Sequence, residues 1–324
     1  MSNWARGEAA RSIFSSTLIP ESIENHPYIQ KIRNWLHSIH FSKRGFTLYH
    51  LLEVLIGNVL KFDIDQRATA VAYSFTLALF PAIIFLFTLI PYIPVEHLDT
   101  QIMTFLSEVM PRGIYKEAES TIRDIVSRKR GGVLSFGFIL TIYSAMSGML
   151  ALMRAFNVAQ RTDDNRGFVR TRLIALLLTV LLSLVLIVAV AVLIVGRLVV
   201  DELTYQGILS MDSTYRYIEG ISYLTVFVVL FVAVSIIYYF APALHKRWRF
   251  FNPGSVTASL LIILITHGFS YYLSNFASYN RLYGAVGTLI ALMVWLYLVA
   301  LLLILGFEVN QSMDDATKKA SKKN

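Results

Sequence analysis

The residues best placed to do chemistry in this 324-residue chain are polar groups set among apolar ones. His267 stands near the middle of the stretch Phe250–Asn280, which holds no Asp, Glu, Lys or Arg. An ionisable group at membrane depth is a functional candidate by default. The alternative is a neutral, hydrogen-bonded core histidine, because no Asp or Glu lies mid-span to complete a proton relay. Shortly after it comes SNFASYNRLYG, residues 274–284, with one charge in eleven residues. Asn275, Tyr279, Asn280 and Tyr283 supply donors and acceptors there. Asn, Ser, Tyr and Gly together favour a helix break. The stretch is expected as an interfacial turn anchored by tyrosines, or as a re-entrant, substrate-facing element.

Pro81 lies near the centre of another apolar stretch, in SFTLALFPAI. It removes a helix hydrogen bond and frees the carbonyl of Leu77, which Ser74 or Thr76 could help re-satisfy. Pro81 reads either as a fixed kink or as the break of a helix lining a substrate path. At span ends, Arg154 and Asn157 on one side, and Glu308 and Asn310 on the other, form a candidate cytoplasmic mouth. Arg154 either snorkels to the interface or binds an anion. Glu308 could bridge to Arg154 or Arg172 as a structural pair. Ser144 and Gly148, and Ser147 and Ala151, are four apart, a spacing of small residues that lets helices approach closely.

Much other chemistry is excluded. There is no cysteine, hence no disulfide, thiolate metal site or Cys nucleophile. No P-loop, GxGxxG opening a helix or HExxH is present. His37 and His40 are spaced for one helix face but lack nearby carboxylates for a metal site. No acids cluster as two-metal chemistry requires. No catalytic residue, metal or cofactor is therefore expected, and the chain is not read as an enzyme. The net charge of +8 could suggest nucleic acid. The cations collect in loops between apolar runs, however, so they are expected to meet lipid headgroups, with no nucleic acid bound.

The elements that must position these residues are spans. The chain is 56% hydrophobic and only 15% charged, against about 25% charged in soluble domains. Leu173 to Gly196 is 24 residues without a charge, about 36 Å of helix against a hydrocarbon core of about 30 Å. Five further windows pass the same test, and the spans are placed at about 68–93, 132–153, 173–196, 221–241, 255–275 and 285–307. Backbone groups must be satisfied inside lipid, so these are helices. With the N-terminus in the cytoplasm, 20 of the 29 Lys and Arg fall on the cytoplasmic side, as the positive-inside rule requires. Both termini then face the cytoplasm; Arg128, Lys129 and Arg130 at an outer mouth oppose this assignment.

The expected fold class is all-α: a polytopic six-transmembrane-helix bundle with amphipathic interfacial helices and a helical extracytoplasmic segment. Residues 1–67 form a cytoplasmic N-terminal region. Apolar residues at helical spacing predict amphipathic helices over 27–41 and 46–62. The first 26 residues lack the apolar core of a signal peptide. The outer segment 96–130 is expected as two short helices, 96–109 and 114–127, joined at Pro111 and Gly113. Residues 68–307 form the transmembrane domain and 308–324 a cytoplasmic tail, whose polar end, 314–324, is expected to be disordered.

Four stretches resemble the YihY/BrkB family of bacterial inner-membrane proteins: ATAVAYSFTLALFP (68–81), RGGVLSFGFILTIYSAMSGMLALMRAFNVA (130–159), FFNPGSVTASLL (250–261) and SNFASYNRLYGAVGTLIALMVWLYLVALLLILGFEVNQ (274–311). The resemblance implies six spans and a bacterial cytoplasmic (inner) membrane location. It carries two inherited labels, ribonuclease and virulence factor; the residues give the ribonuclease label no support, and the other defines no mechanism. Positions matching the family pattern are Tyr73, Pro81, Asn157, Asn275, Tyr279, Asn280, Tyr283, Gly284, Glu308 and Asn310, none with a role that transfers. The candidate substrate path thus comprises Tyr73, Pro81, His267, Asn275, Tyr279, Asn280 and Tyr283. The leading expectation is a transporter or exporter of a small or amphipathic solute that does not hydrolyse ATP. The rival is an envelope scaffold or lipid-organising protein. Expected partners are the bilayer, a small solute, envelope proteins or further copies of the chain.

Overall fold

Six helices long and apolar enough to cross a membrane occur among the described residues of the computed structural model. The structure describes residues 31, 34, 38, 40–41, 46–47, 49, 55–56, 63–92, 100, 103–104, 119–120, 122–125, 131–160, 166–206, 211–243, 248–275 and 278–321. The helices are α1 (Ile64–Leu89, continued by a 3-10 turn, Ile90–Tyr92), α2 (Gly131–Ala159), α3 (Phe168–Tyr205), α4 (Met211–Phe240), α5 (Pro253–Asn275) and α6 (Ser278–Ser321). Each coincides with one expected span, although the first, 68–93, runs past the 3-10 turn and the fourth, 221–241, ends one residue beyond α4. The fold is an all-α polytopic bundle.

The chain divides into two compact units: Ile64–Phe307, and Met1–Asp63 together with Glu308–Asn324. In the second of these, residues 31, 34 and 38 are helical, as are 49, 55 and 56, within the two predicted amphipathic helices. The facing ends of those helices are not helical: β1 (His40–Phe41) pairs antiparallel with β2 (Phe46–Thr47), His40 opposite Thr47. Backbone pairing across this short connection replaces the outermost helical turns. The tail also departs from expectation, since α6 stays helical to Ser321. Once a helix is nucleated, each further residue needs only one more bond, so the polar residues extend α6 rather than begin a disordered tail. Of the outer segment, residues 100, 103–104, 119–120 and 122–125 are helical, and Arg123 pairs with Glu119 at 2.9 Å. The joint at Pro111 and Gly113 lies outside the described residues.

Within Ile64–Phe307, local sequence explains the helix ends. Asp63 takes φ 43°, a left-handed conformation that Asp tolerates, just before α1 begins. Asn252 caps α5: its Oδ1 accepts from the Ser255 N–H at 2.9 Å, and Pro253 takes the first helical position, where no donor is lost. Polar side chains inside the spans mostly serve their own helix. Thr76, Thr141, Thr179 and Ser259 donate to carbonyls four residues back, which satisfies a hydroxyl in lipid without a second helix.

Packing is uneven along the bundle. Buried residues crowd the end where α1, α3 and α5 begin and α2 and α4 finish: Ala68, Val71, Leu152, Phe156, Leu178, Tyr238, Ala258 and Ile304 are almost wholly covered. Towards the other end, Leu86, Phe136, Ile139, Val195, Leu224 and Leu264 are all exposed. We refer to these as the proximal and distal ends. Between α1 and α2 the fit is tight even away from the proximal end. A Cβ on Gly148 would lie 2.7 Å from the Phe75 ring, so glycine provides the recess that the ring fills. This realises the close approach expected of the small residues in α2.

Candidate functional site

The proximal end is built by groups that reach from one element to another. Arg67 of α1 donates from Nη1 to the Ala155 carbonyl in the last turns of α2, at 2.8 Å. Arg166 donates from Nη2 to the Ala241 carbonyl just past α4, at 3.1 Å. Both guanidinium groups lie at helix C-termini, where unsatisfied carbonyls and the negative end of the macrodipole favour a cation. Asn157, buried, accepts at Oδ1 from the Ala243 N–H at 2.9 Å, joining the end of α2 to the chain leaving α4.

Beneath these bonds lies an aromatic cluster. Phe156 stacks on Phe307 with centroids 4.4 Å apart. Tyr238 meets Phe156 edge-on at 5.6 Å and Phe307 at 5.7 Å, and Trp248 packs 5.0 Å from Phe307. Edge-to-face and offset pairs at these separations are the favoured aromatic geometries. The fully buried Tyr238 hydroxyl donates to the Leu303 carbonyl at 2.7 Å. Beside it, α5 and α6 come so close that a Cβ on Gly306 would sit 2.6 Å from both the Ala258 Cβ and the Tyr238 hydroxyl, and 2.8 Å from the Gly254 carbonyl oxygen. Gly254 and Ala258 are four apart, the spacing by which small residues admit a neighbouring helix.

The sequence-predicted residues fall into different places. Of the proposed mouth, Asn157 is buried and hydrogen-bonded, whereas Arg154, three residues earlier, is exposed. Glu308 and Asn310 are buried in the continuation of α6 and belong to the other compact unit. Arg172, the other candidate partner for Glu308, has its guanidinium 4.0 Å over the Phe168 ring.

Of the proposed path, Tyr73 is exposed, with 59% of its surface uncovered. Pro81 lies within α1, which runs unbroken from Ile64 to Leu89. The expected repair of the Leu77 carbonyl by Ser74 or Thr76 does not occur: Ser74 donates to Ala70 and Thr76 to Ala72. Each hydroxyl reaches back into its own preceding turn, away from the carbonyl that proline frees. His267 is neither buried nor in the core; it is exposed on α5, its ring 5.9 Å from that of Tyr223. Its neighbour Thr266 accepts from the Trp295 indole N–H at 3.3 Å, tying α5 to α6.

The break between the last two spans is shorter than composition suggested. Asn275 ends α5, Ser278 begins α6, and Tyr279, Asn280 and Tyr283 are helical. Residues 276 and 277, and the side chains of Asn275, Tyr279, Asn280 and Tyr283, lie outside the described residues. Among the described residues no group of three or more His, Asp or Glu side chains could hold a metal ion.

Sequence reasoning passed over Tyr238, Gly306 and Asn252. Each had a signal: a tyrosine in an aliphatic run, a glycine inside an apolar helix, and Asn-Pro at a helix start.

Comparison with known proteins gives a consistent relationship. A family model described as virulence factor BrkB matches residues 55–324. A ribonuclease-like protein, YfkH of Bacillus subtilis, is 34% identical over 80% of this chain and 93% of its own length. A UPF0761 membrane protein of Stenotrophomonas maltophilia is 26% identical over 76% of this chain and 57% of its own length. A UPF0761 membrane protein of Psychrobacter, PsycPRwf_0630, is 23% identical over 82% of this chain and 49% of its own. The chain thus spans about half the length of the UPF0761 relatives it matches. No solved structure matches it.

Proposed function

This chain belongs to the BrkB family of membrane proteins, and from that premise we propose that it is a transporter or exporter of a small or amphipathic solute that hydrolyses no ATP itself. It works in the bacterial cytoplasmic membrane with both termini in the cytoplasm, so the proximal end of the bundle faces inward. The observation that carries this reading is the contrast between the two ends. The proximal end is closed by Arg67, Asn157, Arg166 and Tyr238, while apolar side chains on α1 to α5 towards the distal end are uncovered by neighbouring helices. A bundle sealed at one end and loosely packed at the other suits a solute that enters an apolar space from one side or from the bilayer.

Polar residues near the distal end give such a solute its partners. They are His267 beside Tyr223 on α5 and α4, and Asn275, Tyr279, Asn280 and Tyr283 at the α5–α6 junction. Spans that carry glycine or proline are familiar in transporter sites; here Gly284 follows the α5–α6 junction within α6 and Pro81 lies within α1.

The test is flux of a fluorescent amphipathic cation and a fluorescent amphipathic anion across proteoliposomes. Wild-type protein should move one of them faster than protein-free vesicles do. Asn280→Ala with Tyr283→Ala should abolish that excess while insertion and melting temperature are kept. Flux that survives both substitutions removes this path from consideration. No flux, together with stable co-purification of envelope proteins or particular lipids, would instead favour a scaffold.

A further inference from the structure

We propose that Arg170 and Arg172, with Phe168 and Val169, form a docking patch for the headgroup of an anionic phospholipid in the leaflet at the proximal end of the bundle. The two arginines lack an acidic partner among the described residues. Two of the other arginines at this end are occupied: Arg67 and Arg166 donate to helix-end carbonyls. The Arg172 guanidinium instead rests 4.0 Å over the ring of Phe168. Cation–π contact uses the flat face of the guanidinium. A guanidinium stacked in this way keeps its in-plane N–H fork for an acceptor, the geometry that grips a phosphate through two parallel hydrogen bonds.

Depth selects the occupant. Arg172 immediately precedes the charge-free run Leu173–Gly196. At 1.5 Å per residue, both arginines stand within about 5 Å of the hydrocarbon edge, where lipid phosphates lie. The apolar neighbours fit the same address. Phe168 and Val169 are 71% and 67% exposed although they lie outside the charge-free run. In water that exposure costs free energy; in the headgroup and acyl boundary it is favourable. A soluble phosphate would satisfy the arginines and leave Phe168 and Val169 unexplained, whereas a phospholipid meets both.

Helix stability does not account for the arrangement. Gly167 supplies no side-chain cap to α3, and Arg170 in the first turn and Arg172 at the start of the second oppose the helix macrodipole. An anion at this position offsets both.

The experiment is lipid competition on the full chain in nanodiscs, with bound phosphatidylglycerol and phosphatidylcholine counted by native mass spectrometry. Wild type should prefer phosphatidylglycerol, and the preference should weaken as ionic strength rises. Arg170→Gln with Arg172→Gln should reduce the preference about fivefold per arginine, or roughly 25-fold together. Arg170→Lys with Arg172→Lys should keep most of it, because the charge remains. Arg123→Gln, which breaks the pair with Glu119, should change nothing. Should the double Gln variant fail to fold, the salt dependence and the Lys variant still decide the matter. Equal retention of the two lipids by wild type overturns the proposal, as does an unchanged preference in the Gln variant. So does inorganic phosphate that stabilises the lipid-free protein and displaces phosphatidylglycerol, since the site would then serve a soluble anion.

Discussion

The hydroxyl of Tyr238, on a ring with no exposed surface, donates to the carbonyl of Leu303 across 2.7 Å. It joins α4 to α6 at the level where α5 also presses against α6. An aromatic side chain with a polar tip suits this place, since the ring fills the space between Phe156 and Phe307 and the hydroxyl finds an acceptor inside an apolar setting.

Removing the hydroxyl alone separates the two roles. Tyr238→Phe should lower stability by about 0.5–1.5 kcal/mol, the net worth of one hydrogen bond. Tyr238→Ala should cost about 3–5 kcal/mol because it empties the centre of the aromatic cluster. Unfolding in mixed micelles under graded SDS measures both. Equal losses in the two variants would mean that the ring contributes little.

Gly306 should not accept a side chain. The Gly254 carbonyl oxygen lies 2.8 Å from where its Cβ would sit, and backbone cannot swing aside as a flexible side chain can. Gly306→Ala should destabilise by about 1–3 kcal/mol through overpacking. Gly268→Ala, on α5 with nothing within 4 Å, should be neutral or stabilising, since alanine is the better helix former. Melting curves of the two variants side by side provide the check.

The recess at Gly148 makes a different prediction, because its neighbour is a side chain. Gly148→Ala should clash with the Phe75 ring, now 2.7 Å from the would-be Cβ. Phe75→Leu should relieve part of the loss, so the double variant is more stable than the sum of the singles by about 0.5–3 kcal/mol. Strict additivity in a double-mutant cycle would show that the ring moves away without cost.

Asn157→Leu should cost about 1–3 kcal/mol, because the Ala243 N–H loses its acceptor at a largely buried position. Arg154→Gln, at an exposed position three residues away, should stay within about 0.5 kcal/mol. Comparable losses in both would place the sensitivity in α2 as a whole.

His267→Leu tests a functional role without a folding penalty. The ring is exposed and contacts Tyr223, so stability should change by no more than about 0.5 kcal/mol. Amphiphile flux in proteoliposomes should fall if the imidazole faces the solute. Unchanged flux would leave His267 as an interfacial neighbour of Tyr223 only.

Composition and charge placement by themselves determined that this is an all-α membrane protein, and which six segments are long and apolar enough to cross. Lipid offers the backbone no hydrogen bonds, so a charge-free run of sufficient length has few alternatives to a helix. Helix starts were equally local, as Asn252-Pro253 illustrates, because a cap acts within its own first turn. The sequence could nominate Asn157, His267, Pro81 and the α5–α6 junction as polar exceptions. Only the tertiary structure distinguished them: Asn157 is a buried structural acceptor, His267 is exposed, α1 runs unbroken through Pro81, and the junction is helical again from Ser278. Apolar residues cover every face of a membrane helix, so periodicity cannot say which face meets a neighbour and which meets lipid. That is why Tyr238 and Gly306, whose importance lies wholly in contacts between helices distant in sequence, became evident only once α4, α5 and α6 were seen together.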